Sequence, residues 1–311
     1  MRNLPGSEPM PQTSMGQVLQ TEDRSLRKLV LLLAEISLSI AAQIPKSLGG
    51  TNRYNVYGEK QAEMDVRTND LVTKKLAKSH LVRQLASEET PEPLNFKQGE
   101  FSVTLDPLDG SSNITSNNLM GTIAGIYRET RLPAKGRDQI AAMYFLYGPY
   151  TQAVVALKDG VYIFVPSGRG SGASGRYVSK GTPHILPEKG SVYGIGGLKQ
   201  KWTPKVQDFV QSLEKRALKL RYGGSFVGDF NQVLYYGGVF AYPELVDAPN
   251  GKLRLQFESN PVAFITEKAG GKGSTGRASI LDVEPTSNDE RVPTYVGNSD
   301  LINEFEQSMK T

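Results

Sequence analysis

The sequence predicts a layered fold of mixed helices and strands, α/β or α+β in class. Helical and strand patterns occur in both halves of the chain, and strand signals cluster between residues 101 and 165. The 311 residues also suffice for one large core or for two α/β halves packed together. Hydrophobic residues make up 38% and charged residues 22%, ordinary globular values that argue against disorder of the whole chain.

The elements follow in order. Residues 1–18 are polar and hold Pro5, Gly6, Pro9, Pro11 and Gly16, the composition of a mobile arm. Thr21 is placed to cap a helix, with Glu22 and Asp23 in its first turn. The apolar run from Leu29 to Ile44 reads as a buried helix: it is short for a bilayer span and carries Glu35. Asn69-Asp70 is expected to start a second helix reaching Leu85. Phe101 to Leu105 alternates like a strand, and Gly121 to Tyr127, Thr151 to Leu157 and Val161 to Val165 are rich in β-formers. Lys158-Asp159-Gly160 reads as a hairpin turn. A Gly/Ser-rich stretch over 166–181 suggests a division near residue 180, into a segment 1–180 and a segment 181–311. Beyond it, Pro204 to Leu218 and Asp229 to Tyr236 are helical in pattern. Lys252 to Phe257 and Ser279 to Val283 read as strands. Pro261 to Ala269 reads as a helix opened by proline and closed by Gly270-Gly271, and Ser299 to Met309 as a terminal amphipathic helix.

Composition narrows the chemistry. The formal net charge of +4 suits an enzyme acting on anionic substrates, and the longest basic runs are pairs such as Lys74-Lys75, so nucleic-acid binding is not indicated. The absence of cysteine excludes disulfides, thiolate metal sites, cysteine nucleophiles and thiol regulation within the chain, and is compatible with the cytosol. His80 and His184 are isolated, so histidine metal sites and phosphohistidine chemistry find little support. Gly170-x-Gly172-x-x-Gly175 matches a dinucleotide pattern, but no helix follows it, and a loop is the better reading.

The strongest signal is Asp106-Pro107-Leu108-Asp109-Gly110-Ser111-Ser112, directly after the strand ending at Leu105. The strand delivers Asp106 to its tip, and a turn at Pro107 returns Asp109 beside it. Two converging carboxylates repel unless a cation neutralises them, and hard oxygen ligands suit Mg²⁺ or Mn²⁺. Gly110, Ser111 and Ser112 then offer N–H groups and hydroxyls to a phosphate. Taken alone, the Asp-Pro segment equally describes a capped Asx turn. Further acids change the balance: Glu88-Glu89, Glu59 with Asp65, and Glu258 at the end of the 252–257 strand. Lys252, Arg254, Gln256 and Glu258 share strand parity and so one expected face.

Together these groups resemble fructose-1,6-bisphosphatase. The signatures are Asp106 to Asn113 and Gly251 to Pro261, supported by Met64 to Val66, Asn69 to Leu71, Ala86 to Glu89 and Arg221 to Pro243; the resemblance runs from about residue 20 to the C-terminus. It implies an αβαβα sandwich and a homotetramer. It implies two or three Mg²⁺ (or Mn²⁺) ions held by Glu59, Asp65, Glu88, Asp106, the Leu108 carbonyl, Asp109 and Glu258. Asp65 and Glu89 would orient and deprotonate water, and Arg254 would stand near the scissile phosphate. Asp109, Gly110, Ser111, Ser112, Asn113, Lys252, Tyr222 and Tyr242 would bind substrate, and Arg221 would reach a neighbouring subunit's site. The expected reaction is hydrolysis of the 1-phosphate of fructose 1,6-bisphosphate, in the cytoplasm and with no nucleic-acid or membrane partner.

The sequence also departs from the family. Position 59 is Glu where the family has Asp, and the sugar-side Asn-Glu-Gly-Tyr element is replaced by Gly196-Gly197-Leu198-Lys199. Glu100 and Phe101 stand where the AMP site of animal members has a basic residue and a tyrosine, although Arg128 matches; animal-type AMP control is not expected. The region near 196–199, Gly136 to Gln139 and Asn231-Gln232 resemble sedoheptulose-1,7-bisphosphatases, which leaves that substrate as the alternative. An inositol-phosphate phosphatase is disfavoured by residues 251–258, and a non-enzymatic phosphate- or nucleic-acid-binding protein by the clustered carboxylates.

Overall fold

The computed structural model describes residues 12–44, 50–54, 60–167 and 176–310. Glu59 and the glycines at 170, 172 and 175 lie outside them. The first part of the chain gives β1 (Thr13–Ser14), α1 (Met15–Val18), α2 (Arg24–Ala41), the pair β2 (Gly50–Tyr54) and β3 (Lys60–Ala62), α3 (Glu63–Ser79), β4 (Val82–Ser87), β5 (Leu94–Asn95), β6 (Phe101–Asp109) and β7 (Met120–Arg128). It continues through β8 (Gln139–Tyr147), β9 (Thr151–Leu157), β10 (Gly160–Pro166) and β11 (Tyr177–Ser179). The second part gives β12 (Val192–Ile195), α4 (Pro204–Lys215), β13 (Lys219–Leu220), α5 (Phe226–Tyr236), β14 (Gly238–Tyr242), α6 (Asn260–Lys268), β15 (Lys272–Ser274), β16 (Thr294–Gly297) and α7 (Ser299–Lys310).

The strands form a nine-stranded sheet in the order β1-β11-β10-β9-β8-β7-β6-β4-β5 and a five-stranded sheet in the order β13-β12-β14-β16-β15. Side-chain parity builds the layers. In β8, Ala141, Met143, Phe145 and Tyr147 enter a core with α2 and α3, whereas Ala142, Tyr144 and Leu146 enter a second core with α5 and α6. In β14, Phe240 and Tyr242 face that second core, and Val239 and Ala241 face a third with α4 and α7. The result is the expected αβαβα sandwich. Both faces of the large sheet are covered, so its strands are apolar on both faces and alternate little; β8 has no polar alternation to mark it, and sequence periodicity passes over it.

Several expected elements are placed differently. Residues 13–18 are ordered rather than an arm: β1 pairs with β11, Ser14 caps α1, and Met15 is wholly buried. The cap of α2 is Asp23, not Thr21, its carboxylate accepting from the N–H groups of Ser25 and Leu26 at 3.0 Å each. The second helix is shifted six residues toward the N-terminus and ends at Ser79; His80 follows with φ 58°, and the stretch toward Leu85 is strand β4. Lys252 to Phe257 is not a strand: residues Leu255–Ser259 form a π-helical turn leading into α6. Ser279 to Val283 is a 3₁₀ turn over Ile280–Asp282, anchored by the bidentate pairing of Arg137 with Asp282 at 2.9 and 3.0 Å. No helix among the described residues is long and apolar enough to cross a membrane.

Candidate active site

β4 and β6 are parallel neighbours, with Ser87 opposite Leu105. Glu88, just past the end of β4, therefore emerges beside Asp106, and its N–H donates to the Leu105 carbonyl at 3.0 Å. The motif does not turn at Pro107. Strand β6 continues to Asp109, with Asp106 opposite Ile123 and Asp109 opposite Gly121 on β7. Three steps on one strand meet two on the other, so one extra residue is accommodated as a bulge. In a regular strand residues three apart face opposite sides. The bulge cancels that inversion and brings both aspartates to one point.

Glu258 reaches the same point from the π turn. Its carboxylate accepts from the Arg254 backbone N–H at 2.7 Å, a bond across four residues that a strand cannot make. The shared strand face expected of residues 252–258 does not form; Gln256 instead turns away, pairing with the N–H and carbonyl of Ala134 at 3.0 and 2.8 Å. Asp106, Asp109 and Glu258 place carboxylate oxygens within 4.8 Å of one another, and all three are buried. Burial first, and then the neighbouring charges of Glu88, Asp109, Glu258 and Asp65, push the Asp106 carboxyl well up. Glu258 is raised for the same leading reason, with Glu88 its strongest unfavourable neighbour. Asp109 is raised by burial, against the hydrogen bonds it accepts. A buried, mutually repelling set of oxygen donors fits a hard divalent cation.

The cavity around this cluster measures about 240 Å³. Asp65 lines it from the first turn of α3; Glu88 and Glu89 from the end of β4; Asp106, Leu108 and Asp109 from the bulge; Gly110, Ser111 and Ser112 from the turn after it. Gly110 has φ 74°, a left-handed conformation that glycine adopts without strain, and a 3₁₀ turn over Ser111–Ile114 follows. Lys252, Arg254, Glu258 and Tyr242 also line it. Arg254 is 2% exposed and donates from Nη1 to Glu88 Oε1, so one cation stands inside the acidic cluster. Lys252 Nζ lies 5.0 Å from the centre of the Tyr242 ring, a favourable cation–π distance.

Three expected residues stand back from this cavity. Asn113 donates from Nδ2 to the carbonyls of Leu119 and Gly223, at 2.9 and 3.1 Å, so its contacts are with the backbone. Tyr222 is half-exposed and touches the site through its hydroxyl, 3.2 Å from that of Tyr242. Arg221 is exposed beside β13. Conversely, Gly224, Phe226, Leu253 and Arg291 line the cavity without being candidate site residues; the first three lie inside the family-like stretches 221–243 and 251–261. Arg291 carries no local signal: it lies in a polar turn and arrives by bridging to Arg254, its Nη1 donating to the Lys252 carbonyl.

Comparison with known proteins identifies the family. The family described as "Fructose-1-6-bisphosphatase, N-terminal domain" matches residues 14–170, and "Fructose-1-6-bisphosphatase, C-terminal domain" matches residues 186–310. A Halobacterium salinarum protein named fructose-1,6-bisphosphatase class 1 is 43% identical over 272 residues, covering 87% of this chain and 92% of its own. The Leishmania major fructose-1,6-bisphosphatase structure in holo form superposes with a TM-score of 0.87 at 29% identity, covering 96% of this chain and 99% of its own. A Toxoplasma gondii structure described under the name sedoheptulose-1,7 bisphosphatase gives a TM-score of 0.86 at 28% identity, covering 97% and 99%.

Proposed function

The chain belongs to the fructose-1,6-bisphosphatase family, and from that premise we propose that it hydrolyses the 1-phosphate of fructose 1,6-bisphosphate to fructose 6-phosphate and phosphate. The observation that carries this reading is the convergence of Asp106, Asp109 and Glu258 within 4.8 Å, in one cavity with Arg254 and Lys252. Such a site joins cation binding to anion recognition.

Two or three Mg²⁺ ions, or Mn²⁺, are assigned to Glu88, Asp106, Asp109, Glu258, Asp65 and the Leu108 carbonyl, with Glu59 from the preceding segment. Bound there, the ions supply Lewis-acid polarisation of the phosphoryl group and lower the pKa of water. Asp65 and Glu89 orient the attacking water and take its proton. Arg254, paired with Glu88, is positioned to share its charge with the phosphoryl oxygens, and the Gly110–Ser112 segment offers N–H and hydroxyl donors to them. Lys252 and the Tyr222–Tyr242 pair hold the sugar and its distal phosphate. Arg221, exposed in the single chain, is assigned to the active site of a neighbouring subunit in a homotetramer, and the enzyme to the cytoplasm and carbohydrate metabolism.

The second reading is sedoheptulose 1,7-bisphosphate as substrate. It is favoured by the Gly196-Gly197-Leu198-Lys199 segment, where no side chain at 196 or 197 is available to bind the distal phosphate. Phosphate release from the two bisphosphates, side by side with Mg²⁺ and with chelator, tests both. Chelator-sensitive release with the fructose ester preferred supports the first reading. A preference for the seven-carbon ester moves the assignment to the second, and no release from either overturns both.

A further inference from the structure

Helix α5 touches the site through its first turn in two ways. At its N-terminus the Ser225 hydroxyl and the N–H groups of Phe226 and Val227 donate to the Asp109 carboxylate, at 2.6, 3.2 and 3.0 Å. Four residues past Ser225, on the same turn, Asp229 is buried with 5% exposure. Its two carboxylate oxygens accept from the backbone N–H groups of Gly223 and Gly224, at 2.6 and 3.0 Å. The first of these contacts fixes a carboxylate at the metal end of the cavity. The second fixes the loop that carries Tyr222 and Gly224.

That loop is held from its other side as well. The Gly223 carbonyl accepts from Asn113 Nδ2 at 3.1 Å and from Asn118 Nδ2 at 2.9 Å. Gly223 therefore has its N–H tied to α5 and its carbonyl tied to the segment that follows the Asp109 motif. Gly224 has φ +82°, so the chain makes its left-handed step at the clamp. Tyr222, one residue before the clamp, meets the Tyr242 hydroxyl at 3.2 Å, and Tyr242 lines the cavity beneath Lys252. A carboxylate this deeply buried is expensive unless its hydrogen bonds are made. Asp229 touches neither the carboxylate cluster nor the cavity, so the reaction as assigned above does not account for it.

We propose that Asp229 is a positioning residue that sets the distance between the metal end and the sugar-distal end of the cavity, by binding the Tyr222–Gly224 loop to the same helical turn that holds Asp109. The inference rests on the reading of Tyr222 and Tyr242 as the distal-phosphate side of a bisphosphate site. One rigid turn of helix then gauges the separation of the two phosphates, and a ligand that spans both ends senses Asp229 whereas a ligand at the metal end does not.

The test compares wild type with Asp229→Asn at saturating Mg²⁺. The amide keeps the shape but presents an N–H₂ to one of the two N–H donors, breaking one charge-assisted bond. KM for fructose 1,6-bisphosphate and the inhibition constant of fructose 6-phosphate are expected to rise about tenfold, the usual worth of one such bond. The maximal rate and the inhibition constant of inorganic phosphate are expected to stay within about twofold. Unchanged KM and product inhibition would overturn the proposal. So would an equal weakening of inorganic phosphate together with a fall in maximal rate, which is the mark of general damage. Should Asp229→Asn fail to fold, Asn118→Ala loosens the clamp from the exposed side and must raise the same two constants about threefold without moving the others; failure to do so is equally fatal. If the wild type does not act on fructose 1,6-bisphosphate, it is the proposed function that falls. The positioning claim is then read by amide exchange: Asp229→Asn must accelerate Gly223 and Gly224 while sparing Phe226 and Val227, and unaltered exchange at Gly223 and Gly224 overturns it.

Discussion

The Ser225 hydroxyl donates to Asp109 Oδ2 at 2.6 Å while its Oγ accepts from the Gly228 N–H at 3.2 Å. One side chain thus caps helix α5 and orients a carboxylate of the acidic cluster. Ser225→Ala removes both bonds. A loss of about 1–2 kcal/mol in unfolding free energy is expected, together with a several-fold higher Mg²⁺ concentration for half-maximal activity. Denaturant titration and a metal activation curve check the two separately; a stability loss with an unmoved activation curve would reject the orienting role.

Asp106→Asn and Glu88→Gln are expected to lower turnover by about a thousandfold or more, because each removes a charge from the cation site. In chelator, Asp106→Asn is expected to melt no lower than wild type, since it relieves repulsion within a buried, like-charged cluster. Melting curves with and without Mg²⁺, beside initial rates, decide this. Retained turnover in either variant would remove the residue from the site.

The metal-free protein is expected to lose stability as pH rises. Asp106, Asp109 and Glu258 are raised in the folded state, chiefly by burial, and Asp229 is raised by burial to about 6. Between their unfolded values near 4 and these raised values the unfolded state binds fewer protons, so each ionisation in the folded state is a penalty that accumulates with pH. In chelator, the melting temperature should fall as pH rises from about 4 through about 6, and Mg²⁺ should flatten the slope, adding about 2.7 kcal/mol at a hundredfold excess over its dissociation constant. A chelated protein more stable at the higher pH would contradict the assignment.

Tyr222→Phe and Lys252→Met are expected to raise KM for the bisphosphate about three- to tenfold with the maximal rate nearly kept, because both act on parts of the substrate away from the reacting phosphorus. Steady-state kinetics on the two variants reads this directly. A fall confined to the maximal rate would place them at the reaction centre instead.

The sequence by itself determined the class of fold, the acidic chemistry and the family, because these reside in local patterns. A strand entering Asp-Pro-Leu-Asp-Gly is legible from residue types alone, and so are the buried helix read over Leu29 to Ile44 and the hairpin turn at Lys158-Asp159-Gly160. Tertiary structure decided how the acids meet. The bulge between Asp106 and Asp109 exists only against β7, whose partner residues Ile123 and Gly121 set the mismatch in register. The alternation over residues 252–257 reads as a strand ended by Glu258, yet residues 253–257 are all buried, and the π turn is stabilised by its own backbone bonds and by Gln256 reaching Ala134. The second helix was displaced for a similar reason: Asn69, whose side chain suggested a cap, lies mid-helix and accepts from the Ser87 hydroxyl at 2.8 Å. Arg291 has no local signal, and Asp229 reads only as the start of a helix inside the family-like stretch 221–243; what makes them matter is the backbone they hold, which lies 39 residues away for Arg291 and on the preceding loop for Asp229. Local sequence specifies which groups are available, and long-range packing fixes the distances on which binding and catalysis depend.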